Sequence, residues 1–182
     1  MADIQYNFIN LPSRIEFENG HVISYLYDAD GIKLRTTHII GSDTTVTDYC
    51  GNVIYENGIP VKLLTEAGYV TLADSKYHYF VQDHLGNNRV VVDQSGNVEE
   101  VNHYYPFGGL LSSSVSNAVQ PYKYNGKELD RKNGLDWYDY GARMYDAALG
   151  RWHAVDPMSE KYYSWSPYTY CKNNPVLRID LD

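Results

Sequence analysis

Short runs of alternating apolar and polar residues, separated by turn residues, make up most of this chain. Residues 21–27 read HVISYLY and residues 32–40 read IKLRTTHII. An alternation with a period of two is typical of a strand that buries one face. Between these runs, the Asp28 side chain can hydrogen-bond its own turn, and Gly31 can adopt a positive φ at little cost. The pattern predicts a β-hairpin closed by a type I turn and a glycine bulge.

The same arrangement recurs along the chain. Strand–turn–strand copies lie at residues 77–92 and 89–105, and a more degenerate copy lies at residues 48–58. The three Asp-x-x-Gly turns, two of them ten residues apart, indicate repeating hairpins. Because one hairpin cannot bury its inner face alone, neighbouring hairpins are expected to stack into a larger antiparallel sheet.

Helical signals are scarce. Residues 166–172 (SPYTYCK) are the one good candidate for a short helix, with Ser166 as the N-cap and Pro167 in the first position. Residues 112–118 (SSSVSNA) are small, mostly polar and aperiodic, which predicts a loop. The expected fold class is therefore mostly β, with antiparallel hairpins in a curled sheet and a short C-terminal helix.

Composition narrows the possible functions. The chain has 19 Tyr against 4 Phe and 3 Trp, which suits half-buried strand surfaces. Its net charge of −8 and its lack of a Lys/Arg run give no sign of nucleic-acid binding. No segment approaches the roughly 20 apolar residues of a membrane helix, so no membrane span is expected. The N-terminus lacks the charge and apolar pattern of a signal peptide.

The cysteines and histidines do not form a recognisable metal motif. Cys50 and Cys171 are far apart, and both a pair of free thiols and a single disulfide between them remain open. The six histidines are scattered, and none lies at ligand spacing from a cysteine. We therefore expect neither a metal site nor a cofactor.

The last third of the chain carries the most specific motifs. They are GLDWYDYGARMYDAALGRW at residues 134–152, Asp156-Pro157, SPYTYCKNNP at residues 166–175 and Arg178-Ile179-Asp180. Together with YYPFG at residues 104–108, they resemble the RHS repeat-associated core in order and spacing. Residues 25–31 resemble the YD repeats of the same family. The resemblance implies degenerate repeat hairpins in residues 1–74, a core in residues 75–182, and a sheet that spirals into a hollow shell.

The resemblance also implies a catalytic site. In the family, the core can act as an intramolecular aspartic protease that cuts after a terminal Asp-Pro-x-Gly-Leu motif and releases a toxin inside the shell. The matching residues are Arg143, Asp156 and Asp180. Two close carboxylates share a proton, so one can activate water while the other polarises the carbonyl group. The alternative is structural, with Arg143 closing the core through a salt bridge. His153 is a candidate third polar partner of the site, and the alternative for it is a surface position on a strand.

The sequence after Asp180 departs from the family motif, because it lacks the proline and the glycine. A truncated core segment, related to toxin encapsulation and delivery, is therefore the expected function. The alternatives are a cell-surface adhesion or carbohydrate-binding module, and an inactive remnant. Tyrosine rings exposed in a row would favour binding, whereas buried rings would favour a shell. Expected partners are the remaining shell or other copies through exposed strand edges, and a toxin domain or carbohydrate. By resemblance, the location is secreted or at the cell surface.

Overall fold

A computed structural model of the chain describes residues 1, 3–116 and 120–180. The chain forms two compact units. The first comprises Met1–Tyr79 with Asp93–Gly96, and the second comprises Phe80–Val92 with Asn97–Asp182. The division at residue 74 that the repeats indicated stays a prediction.

The first unit is an antiparallel meander in which each strand pairs with its neighbours in the chain. Its strands are β1 (Asp3–Tyr6), β2 (Pro12–Glu16), β3 (Val22–Tyr27), β4 (Lys33–Ile40), β5 (Asp43–Cys50), β6 (Val53–Glu56), β7 (Ile59–Thr65) and β8 (Gly68–Thr71). Strand β9 (Lys76–Gln82) begins in this unit and pairs with β8. The predicted hairpins β3–β4 and β5–β6 are confirmed.

The aspartate turn that closes β3–β4 has the predicted chemistry. The Asp28 carboxylate accepts the backbone N–H groups of Asp30 at 2.9 Å and Ile32 at 2.8 Å. Gly31 has a φ of +86°, and the register of the two strands shifts beside the turn, as a bulge requires. The carboxylate therefore satisfies two turn donors that would otherwise need water.

The same device closes a hairpin where the sequence has no aspartate. Asn7 Oδ1 accepts the N–H groups of Ile9 at 3.1 Å and Leu11 at 2.9 Å, and Asn10 takes the positive φ of +61°. Asparagine tolerates this conformation better than most residues. Turn chemistry, more than the Asp-x-x-Gly motif itself, sets the hairpins of this unit.

The second unit holds shorter strands and a second sheet. Its strands are β10 (Asn88–Asp93), β11 (Val98–Val101) and β12 (Val115–Ser116), followed by the four-stranded antiparallel sheet β13 (Glu128–Asp130), β14 (Trp137–Asp139), β15 (Met144–Asp146) and β16 (Arg151–Trp152). Single turns of 3-10 helix lie at Tyr124–Gly126, Lys132–Gly134, Ser159–Lys161 and Cys171–Asn173. The mostly β fold class is confirmed, and the single turn at Cys171–Asn173 is the short helix nearest the C-terminus among the described residues.

Three elements of the second unit differ in detail from the predictions. The strand expected at residues 98–105 ends at Val101, and residues 105–109 form a turn instead. Residues 166–169 form a turn, and the short helix comes later, at Cys171–Asn173. The loop expected at residues 112–118 contains β12, and residues 117 and 118 lie outside the described residues.

The core of the second unit is a cluster of aromatic side chains. Its buried members are Tyr124, Leu129, Tyr138, Tyr140, Tyr145, Trp152 and Tyr170. Many of the rings meet edge-on or tilted, as aromatic quadrupoles prefer, with centroids 4.1–6.5 Å apart. Five tyrosines can share one core only if each hydroxyl group finds a partner.

Three of these hydroxyl groups donate to consecutive carbonyl groups of the Pro106–Gly108 turn. Tyr124 donates to Pro106 O at 3.0 Å. Tyr145 donates to Phe107 O at 2.8 Å, and Tyr138 donates to Gly108 O at 2.9 Å. The tyrosines thus supply donors to a turn that has no sheet ladder of its own.

The other two hydroxyl groups meet at one amide. Tyr140 and Tyr170 donate to Asn125 Oδ1 at 2.6 Å and 2.7 Å, and their oxygens lie 2.9 Å apart. Asn125 itself is held by Asn87, whose side-chain oxygen accepts the Asn125 N–H at 2.8 Å. These contacts explain why the core uses tyrosine where phenylalanine would fill the same space.

Replacing Tyr145 with phenylalanine tests the hydroxyl–carbonyl contacts. Tyr145→Phe keeps the ring and removes the donor to Phe107 O, so we expect the free energy of unfolding to fall by about 1–2 kcal/mol. Urea denaturation measures the change, and Tyr163→Phe is the matched control because Tyr163 is 87% exposed. Equal stabilities for the two variants would contradict the role of the hydroxyl group.

The buried tyrosines also predict a loss of stability at high pH. Burial raises the pKa of Tyr124 to about 12, and it raises the pKa of Tyr138, Tyr140, Tyr145 and Tyr170 as well. In the unfolded chain a tyrosine ionises near pH 10. The stabilisation is therefore complete below about pH 10 and falls as the pH rises toward 12 and beyond.

Phenolate absorbance and circular dichroism, recorded over the same pH range, measure this effect. We expect a group of tyrosines that ionises only together with the loss of the folded signal. Ionisation of all tyrosines in one early step, with the fold intact, would show that the buried hydroxyl groups do not resist deprotonation.

Candidate functional site

Arg143 lies at the end of the tight turn between β14 and β15. The Asp139 carboxylate accepts the Gly141 N–H at 2.8 Å, and Gly141 has a φ of +89°. Tyr140 N–H closes the turn by donating to Arg143 O at 3.1 Å. The Arg143 guanidinium stands over the Trp152 ring, 4.1 Å from its centroid, and the residue is 9% exposed. The turn and the cation–π contact together fix the buried cation.

Asp156 reaches the same cation from the turn that follows β16. Its Oδ1 accepts the Met158 N–H at 2.7 Å, and its own N–H donates to Pro167 O at 3.0 Å. The other oxygen, Oδ2, lies 3.7 Å from Arg143 Nη1. One side of the carboxylate is therefore fixed by the backbone while the other side faces the guanidinium.

Asp180 completes the group from the C-terminal segment. Its Oδ2 lies 3.5 Å from Arg143 Nη2. The structure therefore brings together all three residues that the resemblance singled out, although they are up to 37 positions apart in the sequence. Each carboxylate faces a different nitrogen of one guanidinium, so the arrangement is one cation between two anions.

The electrostatics of the group follow from partial burial. Burial lowers the pKa of Arg143, and the two carboxylates oppose that shift. The side chains of Asp156 and Asp180 stay 30% and 23% exposed, so water can reach both carboxylates. Nη1 of Arg143 is buried and has no hydrogen-bond partner within the part of the chain that the structure describes. The site therefore combines two solvent-accessible carboxyl groups with one buried cation.

His153 does not join this group. Its Nε2 lies 3.5 Å from Asp146 Oδ2, and its ring packs 3.6 Å from the Trp137 ring. Burial would raise the pKa of Asp146, but the neighbouring His153 ring and two backbone N–H donors lower it overall. His153 and Asp146 form a separate, largely buried pair that braces β15.

Sequence analysis missed a second buried polar group. Glu100, Asn102, Gln120 and Lys123 are each at most 3% exposed. Glu100 Oε1 accepts from Lys123 Nζ at 2.5 Å, from Gln120 Nε2 at 3.0 Å and from Asn102 Nδ2. Glutamate and lysine are mostly exposed in proteins, so the sequence carried no signal that Glu100 and Lys123 would be buried together.

Both cysteines are free thiols, so a disulfide between Cys50 and Cys171 is not formed. Burial raises the pKa of Cys171 to about 11, which makes it a poor nucleophile. Among residues 1, 3–116 and 120–180, no three His, Cys, Asp or Glu side chains are placed to hold a metal ion. No helix of the described chain is long and apolar enough to cross a membrane.

Comparisons with known proteins identify the family. The family model for the Teneurin YD-shell matches residues 63–176. Salivary gland surface protein 1 of Aedes aegypti is 32% identical over 195 residues, which cover 93% of this chain and 6% of that protein. Toxin subunit YenC1 of Yersinia entomophaga is 29% identical over 153 residues, which cover 75% of this chain and 15% of that subunit.

A solved structure shares the fold. The crystal structure of TcdB2-TccC3-TEV superimposes with a TM-score of 0.82 at 19% identity, over 99% of this chain and 10% of that one. The chain thus spans 15% or less of the length of these relatives. Because the family model matches well over half of the residues, the chain belongs to the Teneurin YD-shell family and is a segment of an RHS/YD-repeat shell.

Proposed function

We propose that this segment closes an RHS-type shell and carries an intramolecular aspartic-protease site at Arg143, Asp156 and Asp180. The observation that supports the proposal is the convergence of the two carboxylates on one buried guanidinium, at 3.7 and 3.5 Å. A shell with this function would hold a toxin domain and release it inside. Names among the relatives, such as toxin subunit YenC1 and a Tc holotoxin pore of Photorhabdus luminescens, fit that role.

The two carboxyl groups would have different roles, one as the general base and the other as the general acid. Asp156 is the better candidate for the base, because one of its oxygens is fixed by the Met158 N–H while the other faces the cation. Asp180 would carry the shared proton and donate it to the carbonyl oxygen of the scissile peptide. Asp156 would take a proton from the attacking water and pass it to the leaving amine. Arg143 would hold both acids in place.

The carbohydrate-binding alternative receives less support. Five tyrosines of the second unit are buried in its core, and their hydroxyl groups donate to backbone and amide acceptors. Buried rings favour a role in shell structure over sugar stacking.

Restoring the family motif tests the proteolytic site. The change is Leu181→Pro with Gly-Leu and a short tag appended after Asp182, which recreates Asp-Pro-x-Gly-Leu. We expect the folded protein to release the tag, because the restored motif would again place a scissile bond shortly after Asp180. Mass spectrometry of the products over time measures the release.

Two variants of the extended chain make the result specific. Asp156→Asn removes the proposed base and should abolish release, whereas Asp136→Asn should leave it unchanged, because Asp136 pairs with Arg131 at 3.0 Å at an exposed position. Release that survives Asp156→Asn, or no release from a folded protein, would assign the Arg143 group a structural role only.

The proposed partners are the rest of the shell or other copies of the chain. Among the described residues, β1 pairs on one side only, with β2, and so presents an open edge. We expect the isolated chain to associate in a concentration-dependent manner. Size-exclusion chromatography measures this, and a monomer at every concentration would argue against partners at the strand edge.

A further inference from the structure

The buried polar cluster of the second unit places an amine and an amide on one carboxylate oxygen. Lys123 Nζ lies 2.5 Å from Glu100 Oε1, and Asn102 Nδ2 donates to the same atom. Asn102 is fully buried, and Glu100 and Lys123 are 1% and 3% exposed. Because both nitrogens lie within hydrogen-bond distance of one atom, the amine and the amide are close neighbours.

The backbone holds both groups in this position. Asn88 N–H donates to Lys123 O at 3.0 Å, and Asn88 O accepts from Asn102 Nδ2 at 3.1 Å. Asn102 N–H also donates to Arg89 O at 2.8 Å. One residue of β10 therefore fixes the amine-bearing segment and the amide together. Such fixed proximity accounts for much of the acceleration in intramolecular reactions.

The amide carbonyl groups of the cluster are not satisfied. Asn102 Oδ1 and Gln120 Oε1 are buried and have no hydrogen-bond partner within the described part of the chain. A polar network that serves only stability is expected to satisfy its acceptors, because each orphan is costly to bury. These orphan carbonyl groups distinguish the cluster from an ordinary buried salt bridge.

We propose that Lys123 and Asn102 form an intramolecular isopeptide bond, with Glu100 as the catalytic residue that transfers the protons. Burial disfavours the charged pair, so the Lys123 ammonium group gives a proton to Glu100 and becomes a neutral nucleophile. Nζ attacks Cγ of Asn102 and forms the new C–N bond. Glu100 moves protons from Nζ to the leaving amide nitrogen, the old C–N bond breaks, and the nitrogen departs as ammonium.

Asn102 is a better partner than Gln120. The Asn102 amide nitrogen is held by two acceptors, Glu100 and Asn88 O, whereas the Gln120 amide donates to Glu100 at 3.0 Å. Lys123–Asn102 also joins β11 to the segment that enters the aromatic core, next to Tyr124. The product would close residues 102–123 into a covalent ring and lock the first part of the core.

The test is the mass of the intact protein, which is purified in its folded form and then denatured for mass spectrometry. We expect the mass to be lower than that of the sequence by one ammonia, and proteolytic digestion to yield a branched peptide that contains Lys123 and Asn102. Folded wild-type protein with the full sequence mass would overturn the proposal, and so would a link that maps to Gln120. This measurement needs no variant.

Variants identify the roles of the residues. Lys123→Met and Glu100→Gln should restore the full mass, and Lys127→Met should keep the loss, because its amine lies over the Tyr140 ring, 5.0 Å from the centroid. Cyclisation of Asn102 on its own backbone would also release one ammonia, but that loss would survive Lys123→Met and would overturn the proposal. Near-UV circular dichroism shows whether each variant is folded.

Discussion

The second unit depends on hydrogen bonds from buried tyrosines to backbone carbonyl groups. Residues 106–108 turn sharply and lack a strand partner, so their carbonyl groups need donors from elsewhere. Tyr124, Tyr145 and Tyr138 supply one donor each. Gly108 is required at this place, because a Cβ atom there would lie 2.6 Å from the Tyr124 ring. The same side chains must therefore fill the core with their rings and donate hydrogen bonds to the backbone carbonyl groups. This double requirement accounts for the tyrosines in this core.

The aromatic core also determines where the acidic group forms. Trp152 packs against Tyr140 and Tyr145 on one side and carries the Arg143 guanidinium at 4.1 Å. A cation buried there needs anions, because an isolated buried charge is strongly unfavourable. Turns from two later segments bring Asp156 and Asp180 to it. The same three residues therefore close the core and form the proposed hydrolytic site.

The sequence predicted the strands and turns that depend only on neighbouring residues. Alternation and the carboxylate turn at Asp28 were enough for the hairpins, because strand faces and turn donors depend on neighbouring residues. The prediction of which side chains are buried was less accurate where residues from distant segments pack together. Val98 is 61% exposed while Glu100 is buried, the opposite of what polarity indicates, because Lys123 comes from another segment. Arg143 and its two acids were found through family resemblance, since no local pattern brings them together.

The two buried ion groups differ in the chemistry that they permit. Arginine stays protonated in proteins, so Arg143 can only hold and orient the carboxylates around it. Lysine in a dry site can pass its proton to a carboxylate, and Lys123 faces Glu100 at 2.5 Å with almost no solvent. The acids near Arg143 are partly exposed and suit hydrolysis by water, whereas the Lys123 cluster is almost fully buried and suits transfer of an acyl group from an amide to an amine. A shell segment with both activities would cleave its chain at one site, while the covalent bond at the other site would keep the segment folded.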